Sequence, residues 1–331
     1  MNRRFPDAYH RAAEPSRMRV IVHGGAGGTP DDPAPRQAVL DEAAETGTGA
    51  ATPLDAVASA VGALESSPRF NAGVGGAVQS DGVVRTDAGV MTSDRAIGAV
   101  CSMPGVERAA SVARVVHSET PHVLLSGSHA VELAADFGVE TDVDLLTAEK
   151  RDRYERDAPP SGRSREQLGW LAERFGSGRD QAGGSSRSVT DDRSEPTVGD
   201  EATKREAPDH DTVGAVASDG ETFAAATSTG GRSFALAGRV GDVPQVGSGF
   251  FCTDAGGASA TGAGEDITRV TLSRRAVGHL EDGLDAQTAA DRAIEAFESI
   301  TGSGAGVIVL DERGAGSAFN TDGMQTSVAV D

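Results

Sequence analysis

A long polar segment divides the chain into two parts that can fold. Between about residues 147 and 211 the sequence is rich in Pro, Gly, Ser, Asp and Arg. Such a segment behaves as a flexible linker and is too long for an ordinary connection inside a compact domain. One short helix is predicted within it, at REQLGWLAERF (165–175). The ordered structure must therefore be built from the sequence on either side.

The part before the linker mixes strand and helix signals. Residues 18–25 form an apolar run closed by glycines, which predicts a buried strand. Within 51–66, Thr52 is a candidate N-cap and is followed by apolar residues at helical spacing. Asp81-Gly82 predicts a hairpin over 76–91. The other predictions in this part are one strand at 96–103 and two helices near 110–117 and 128–138.

The part after the linker begins abruptly with TVGAVASDGETFAAATSTGG (212–231), which predicts two strands around Asp219-Gly220. Its remaining predicted elements are helices at 265–281 and 285–300 and strands at 305–312, 317–321 and 326–330. Strands and helices occur without a regular βαβ alternation. This order predicts an α+β fold of layered sheets with helices outside them. Two separate domains joined by the linker fit the residues as well.

Charge excludes two classes of partner. The chain has 50 acidic and 30 basic residues, for a net charge of -20. Such a protein repels nucleic acid and anionic membranes, so we expect neither as a partner. The acids are dispersed, which indicates a solvated acidic surface of the kind that suits high salt. Residues 1–17 have no apolar core and are taken as an N-terminal extension. We therefore expect a cytoplasmic protein.

Motifs for the commonest catalytic sites are absent. The Gly-rich loops at 23–28, 71–76, 228–231 and 260–265 contain no GxxxxGK[ST] phosphate loop. Neither HExxH nor GxSxG occurs, so zinc-protease and serine-hydrolase sites are not predicted. A Gly-rich nucleotide-binding protein stays as an alternative that binding of ATP or NAD would test.

Thr212 is the most informative polar residue, because it opens an apolar strand directly after the linker. If the bond after Asp211 were cut, Thr212 would carry both a hydroxyl and an α-amino group. An α-amino group has a pKa of about 7.7–8.0 and can act as the general base for its own hydroxyl. Threonine is also common at the start of strands, so position alone leaves both interpretations open.

A family resemblance favours the catalytic interpretation. It rests on the segments HDTVGAVASDGETFAAATSTGG, GRVGD, ATGAGE, VIVHGGAGG, LESSPRFNAGVGGAV, TDAGVM, TPHVLLSG and GAGVIVLDERGAGSAFNTDGM. Together they resemble the plant-type L-asparaginases and isoaspartyl peptidases, which are N-terminal nucleophile hydrolases related to the glycosylasparaginases. The resemblance covers nearly everything outside residues 1–17 and the linker.

The resemblance implies a four-layer αββα sandwich made from a precursor that cuts itself between Asp211 and Thr212. The products would be an α-subunit, 1–211, and a β-subunit, 212–331, which together form one folded domain. A homodimer of αβ units is also implied. The implied reaction is hydrolysis of L-asparagine and β-aspartyl dipeptides, small-molecule substrates, through a β-aspartyl-enzyme ester and without a catalytic cofactor.

The resemblance also assigns roles to individual residues. Thr212 would be the nucleophile and Thr229 its hydrogen-bond partner. Thr261 and Gly262 would form the oxyanion hole, through a hydroxyl and a backbone N–H. The substrate-binding residues implied are Arg239 for the α-carboxylate, Asp242 for the α-ammonium group and Asn71 near the nucleophile.

A structural sodium ion is a further implication. The loop after the predicted 51–66 helix resembles a family loop whose backbone carbonyls hold Na⁺. Oxygen ligands suit a hard cation, although a plain turn would have almost the same sequence. The matching positions are Leu64, Glu65, Ser67, Phe70, Ala72 and Val74.

Departures within the resemblance leave a glycosylasparaginase-type hydrolase as one alternative. The Asp-Thr bond at the cleavage site is typical of glycosylasparaginases, whereas HGGAGG (23–28) is asparaginase-like. Ala263 and the segment RSFALA (232–237) differ from the family pattern beside the pocket, which bears on the leaving group. A non-catalytic homologue that binds an amino acid is the other alternative. Such a protein would stay uncut and release no ammonia.

Overall fold

A computed structural model describes residues 17–30, 32–160, 162–175 and 212–331. It is a mixed α+β structure, as predicted. The strands are β1 (Arg19–Gly27), β2 (Arg85–Thr92), β3 (Ile97–Pro104), β4 (Leu124–Ser126), β5 (Val213–Ser218), β6 (Phe223–Thr229), β7 (Phe250–Thr253), β8 (Gly256–Gly262), β9 (Ala305–Leu310), β10 (Ala315–Phe319) and β11 (Gly323–Val330). The helices are α1 (Ala34–Thr48), α2 (Pro53–Glu65), α3 (Ala109–Glu119), α4 (Gly127–Asp136), α5 (Ala148–Asp157), α6 (Ser164–Phe175), α7 (Gly264–Val270), α8 (Leu272–Glu281) and α9 (Ala286–Thr301).

The described strands form two sheets. The larger has the order β11-β1-β5-β6-β2-β3-β4, and all its pairs are antiparallel except β3 with β4. The smaller is antiparallel, with the order β10-β9-β8-β7. Every residue of β5 and β6 is buried. These two strands are covered on both faces. Their sequences are therefore continuous runs of apolar and small residues, without alternation of apolar and polar residues.

The two sheets pack against each other, and helices cover their outer faces. Strands β5 and β6 of the larger sheet contact β8 of the smaller one. Phe250 lies so close to Gly89 that a Cβ at Gly89 would come within 2.0 Å of the ring, so only glycine fits there. Helices α1, α2 and α3 pack on the larger sheet, and α8 and α9 on the smaller. Among the described residues, no helix is long and apolar enough to cross a bilayer.

Capping explains where the predicted helices begin. The Thr52 hydroxyl accepts a hydrogen bond from the Asp55 N–H at 3.2 Å, and Pro53 follows as the first helical residue of α2. Asp285 caps α9 in the same way by accepting from Thr288 N at 3.0 Å. The predicted helices at 51–66 and 285–300 are thereby confirmed.

Two predictions of local structure were wrong, and helix α1 was missed. The expected hairpin over 76–91 is a single bridge between Val78 and Val84, after which β2 pairs with β3 instead. The helix expected at 265–281 is broken at Thr271, whose φ of 52° lies in the left-handed region. Helix α1 was not predicted. Its buried residues Leu40, Ala43, Ala44 and Gly47 follow helical spacing, but three of them are small and give a weak apolar signal.

Part of the predicted linker is ordered. Helix α5 lies where a flexible segment was expected, and the Thr147 hydroxyl caps it by accepting from Lys150 N at 3.4 Å. Helix α6 matches the short helix predicted at 165–175. A highly charged helix such as α5 has no apolar stripe, so periodicity could not find it. Residues 176–211, including Asp211, lie outside the described residues, as do residues 1–16.

Candidate active site

Thr212 and Thr229 meet because of the register between β5 and β6. Val213 pairs with Ser228 in this antiparallel ladder, which places the preceding Thr212 beside Thr229. The Thr212 Oγ1 donates to Thr229 Oγ1 at 3.4 Å, and only 8% of Thr212 is exposed. The predicted nucleophile and its predicted partner are thus brought together.

Asn71 supports the turn that follows Thr229. Its Nδ2 donates to the Gly231 carbonyl at 2.7 Å, and its Oδ1 accepts from Ala77 N at 2.7 Å. The Thr229 hydroxyl in turn donates to the Asn71 carbonyl at 3.4 Å and accepts from Gly231 N at 3.1 Å. The contacts of Asn71 are therefore with the protein around the nucleophile. The substrate-binding role expected for it stays a prediction.

A small cavity that is open to solvent lies above the two threonines. Five predicted site residues line it, namely Thr212, Thr229, Arg239, Asp242 and Gly262. Four further lining residues were not predicted, namely Gly231, Arg232, Gly264 and Glu265. Two of these, Glu265 and Gly264, belong to the ATGAGE motif, so the same motif that gave Gly262 could have indicated them.

The two residues predicted for the oxyanion hole differ in position. Gly262 lines the cavity with a φ of 136°, and a Cβ there would lie 2.5 Å from the Gly304 carbonyl, so glycine is required. Thr261 is fully buried behind it, and its hydroxyl accepts from the Ala26 N–H at 3.4 Å. The structure therefore brings Gly262 to the cavity and keeps Thr261 in the layer beneath.

One side of the cavity carries an array of charged groups. Arg239 donates from Nε to Glu265 Oε1 at 3.0 Å, and its Nη2 lies 2.9 Å from the same oxygen. Arg232 lies 3.8 Å from Glu265 Oε2. Burial alone would raise the pKa of Glu265, but Arg239 and Arg232 outweigh it and the pKa is lowered. Glu265 therefore stays ionised and orients the Arg239 guanidinium.

Asp242 is the other charged group in the cavity. Burial raises its pKa to about 6, against the opposing effect of Arg239. Within the described part of the chain, its Oδ2 is buried without a hydrogen-bond partner. A buried carboxylate oxygen without a donor is unfavourable, so this atom is suited to a cationic ligand group.

Asp87 is a buried acid that sequence reasoning missed. It pairs with Thr229 across β2 and β6, and its Oδ1 accepts from Ser102 N at 2.7 Å. Burial raises its pKa to about 7, with Arg239 opposing that shift. Nothing in the sequence around TDAGVM separates this aspartate from a turn residue, so only the sheet register reveals it.

His23 connects the two sheets beneath the site. Its Nε2 lies 2.9 Å from Ser259 Oγ, and Ser259 Oγ lies 2.7 Å from Thr227 Oγ1. Burial lowers the pKa of His23 to about 3, although a backbone hydrogen bond with Thr212 opposes this. The imidazole is therefore neutral at physiological pH and joins a hydrogen-bond chain of hydroxyl groups from the two sheets.

The loop predicted to bind sodium is closely folded. Leu64 O accepts from Ser67 N at 3.2 Å, Glu65 O from Val74 N at 2.9 Å and Ser67 O from Phe70 N at 3.4 Å. A Cβ at Gly73 would lie 2.2 Å from the Glu65 carbonyl. Each carbonyl oxygen retains a second lone pair. These carbonyl oxygens could therefore act as ligands for a hard cation. Their backbone hydrogen bonds also fit a plain turn.

Comparison with known proteins agrees with this geometry. A family model described as asparaginase matches residues 16–331. The chain is 36% identical over 317 residues to the plant-type L-asparaginase of Pyrococcus abyssi, covering 93% of this chain and 94% of that protein. It is 36% identical over 326 residues to the plant-type L-asparaginase of Thermococcus kodakarensis, covering 94% and 96%. It is 33% identical over 306 residues to the isoaspartyl peptidase/L-asparaginase of Macaca fascicularis, covering 89% and 87%. Because the match spans nearly the whole sequence, the chain belongs to the asparaginase family.

Proposed function

We propose that this amide hydrolase cuts itself before Thr212 and then hydrolyses L-asparagine and β-aspartyl dipeptides. One observation carries the proposal. The Thr212 hydroxyl lies 3.4 Å from Thr229 in a cavity that also contains Arg239 and a buried Asp242 oxygen. The guanidinium and the carboxylate match the α-carboxylate and α-ammonium groups of an amino acid. The hydroxyl is then available for attack on the side-chain amide.

The reaction begins with the free α-amino group of Thr212 as the base. The amine takes the hydroxyl proton, and Oγ1 attacks the amide carbon of the substrate. The oxyanion accepts a hydrogen bond from the Gly262 N–H. Thr261 supports the backbone at Gly262 from the layer beneath. The amine returns the proton to the leaving nitrogen, which departs as ammonia or as the amino group of a peptide. Water then hydrolyses the β-aspartyl ester on Thr212.

Self-cleavage uses the same hydroxyl before the amine exists. Oγ1 of Thr212 attacks the Asp211 carbonyl, the peptide nitrogen leaves as the new α-amino group, and water hydrolyses the resulting ester. The products are chains 1–211 and 212–331. The start of β5 directly at Val213 supports this assignment, because the new terminus would be fixed by the sheet.

The packing supports the four-layer αββα arrangement of the N-terminal nucleophile hydrolases. Helices α1 to α3 lie on one sheet, and α8 and α9 on the other, with the sheets in contact between them. Small-sheet strand β8 supplies Gly262, while large-sheet strand β6 supplies Thr229. Thr212, the nucleophile, directly precedes β5 of the large sheet, so the nucleophile and the oxyanion hole come from opposite sheets.

The experiment combines intact mass and activity on the purified wild-type protein. We expect two fragments whose masses match 1–211 and 212–331, ammonia release from L-asparagine, and free amino acid release from a β-aspartyl dipeptide. A single uncut chain that releases neither product would overturn the proposal. If the enzyme hydrolysed glycosylasparagine in preference to both substrates, the proposed substrate class would be wrong. The proposed Thr212 mechanism would still hold.

Ionisation of Asp242 makes substrate binding depend on pH. The pKa of Asp242 is raised to about 6, so below that pH the group is increasingly neutral and cannot pair with an α-ammonium group. We expect the affinity for the product L-aspartate, measured by calorimetry between pH 5 and 8, to be constant above pH 7. Affinity should fall by about tenfold per pH unit well below the pKa. Asp242→Asn should bind weakly at every pH, and a wild-type profile without this fall would contradict the assignment.

Backbone carbonyls of the 64–74 loop would hold a structural Na⁺. The residues that would contribute are Leu64, Glu65, Ser67, Phe70, Ala72 and Val74. The ion would fix the end of α2 and the segment leading to Asn71. We expect a higher melting temperature in sodium chloride than in choline chloride at the same concentration, because an ion that binds only the folded state stabilises it. Equal melting temperatures would indicate a plain turn.

A further inference from the structure

Helices α5 and α6 pack on the loop that presents the charged residues of the cavity. This loop, residues 231–239, carries Arg232 near its start and Arg239 at its end. At its centre, Phe234 is fully buried and has a φ of 60°. The left-handed region is unfavourable for a bulky side chain and persists only where surrounding contacts enforce it. The contacts on Phe234 therefore determine the conformation of the loop.

The aromatic and cationic contacts on the Phe234 ring come from α5 and α6. The Tyr154 ring of α5 is stacked on Phe234 with centroids 6.3 Å apart. The Trp170 ring of α6 meets it edge-on at 5.7 Å. The Arg174 guanidinium lies 4.3 Å from the Phe234 centroid and 5.2 Å from that of Trp170. The Arg153 guanidinium of α5 lies 5.5 Å from the Phe234 centroid. Aromatic pairs and cation–π contacts of this geometry are attractive. One phenylalanine thus receives two rings and two cations from the helical pair.

Hydrogen bonds connect the same helices to the loop backbone through Ser80. Its Oγ donates to Gln167 Oε1 of α6 at 2.8 Å and accepts from Ala237 N at 3.1 Å. Its N–H donates to the Ala235 carbonyl at 2.8 Å, and its carbonyl accepts from Tyr154 OH at 3.2 Å. Ser80 therefore joins both helices to Ala235 and Ala237, on the C-terminal side of Phe234.

The connection reaches Arg239 through the neighbouring Gln79. Gln79 Oε1 accepts from Gly238 N at 2.8 Å, and its Nε2 donates to the Arg239 carbonyl at 3.2 Å. Gln79 is buried. A displacement of Ser80 would therefore move Gln79 and the backbone on both sides of the Gly238–Arg239 peptide bond.

We propose that α5 and α6 act as a clamp that holds the 231–239 loop, with Phe234 as a positioning residue for Arg239. The proposal rests on the proposed function only in taking Arg239 as the group that binds the α-carboxylate. Thr212 and Thr229 are held by the β5–β6 ladder. Gly231, the loop residue whose N–H donates to the Thr229 hydroxyl, is itself held by Asn71 rather than by α5 or α6. Loss of the clamp should therefore weaken substrate binding while leaving self-cleavage and the chemical step in place.

The test uses Trp170, which is the only tryptophan in the chain. In Trp170→Leu we expect complete self-cleavage and a kcat changed by less than about twofold. The KM for L-asparagine should rise about tenfold, which corresponds to roughly 1.4 kcal/mol of binding free energy. Trp170→Phe keeps an aromatic edge and should restore a KM within about twofold of wild type. Leu168→Ala is the matched control, because this α6 side chain is 53% exposed, and it should behave as wild type.

Phe234→Leu provides a spectroscopic readout in the full chain. If the ring holds α6, the emission of Trp170 should shift to longer wavelength as its environment becomes wetter, together with the rise in KM. A shifted emission with unchanged KM would overturn the proposal, and so would a parallel loss of kcat and self-cleavage in Trp170→Leu.

Failure of the proposed function would look different from failure of the clamp. A wild type that hydrolyses no amide but binds L-aspartate would overturn the function alone. The clamp would then be judged by calorimetry, with weaker L-aspartate binding expected in Trp170→Leu and wild-type binding expected in Trp170→Phe. A wild type that does not bind L-aspartate would overturn both.

Discussion

Thr212→Ala should leave the purified protein as one uncut chain that releases no ammonia from L-asparagine. The substitution removes the only hydroxyl that both reactions use as nucleophile. In serine proteases, loss of the nucleophile costs at least about 10⁴-fold in rate, and we expect a loss at least as large here. Because cleavage also fails, the α-amino base never forms. Intact mass spectrometry should show a single species beside the two fragments of the wild type.

Thr212→Ser separates the loss of the hydroxyl from the loss of the side chain. Serine keeps Oγ and deletes only a methyl group, so we expect cleavage at the same bond, at a lower rate, and measurable ammonia release. Thr253→Ala is a suitable control, because this threonine is also buried at a strand end but lies outside the cavity. Fragments of Thr212→Ala, or a wild-type cut at any other bond, would contradict the mechanism.

Sequence alone could identify the residues that are close along the chain or belong to a motif. Thr52 with Pro53 marks the start of α2, and the abrupt change of composition at Thr212 marks the start of β5. The Arg239 and Asp242 assignment needed the family motif. An arginine and an aspartate three residues apart are otherwise typical of an exposed ion pair of little energetic importance.

The remaining features depend on contacts between distant segments. Asp87 comes beside Thr229 through a sheet register, and Phe234 meets Trp170 through the docking of α6. No local periodicity encodes either contact. The predicted linker shows the same limit, since α5 is highly charged and its order depends on a cap and on the ring of Tyr154. Composition described this segment correctly as polar but could not reveal where it packs.

Arg239→Gln should raise KM for L-asparagine by about 10²–10³-fold, because removal of one partner from a buried charge pair costs roughly 3–4 kcal/mol. Only 17% of the Arg239 side chain is exposed, and Glu265 orients it from one side. Arg239→Lys keeps the charge but loses the planar fork, so its KM should be intermediate. Self-cleavage should proceed in both variants. Arg269→Gln on α7 is the matched control, because it forms an ion pair with Asp266 and neither of these residues lines the cavity.

A substrate without an α-carboxylate identifies the group that Arg239 binds. 3-Aminopropanamide is asparagine without that carboxylate, so the wild type should hydrolyse it with a kcat/KM about 10²–10³-fold lower than that for asparagine. Arg239→Gln should cause little further loss with this substrate, because the interaction is already absent. Such non-additivity is the signature of a direct contact between the two groups. If the two losses multiplied instead, Arg239 would act on the loop or on the charge of the cavity, and the α-carboxylate would need another partner.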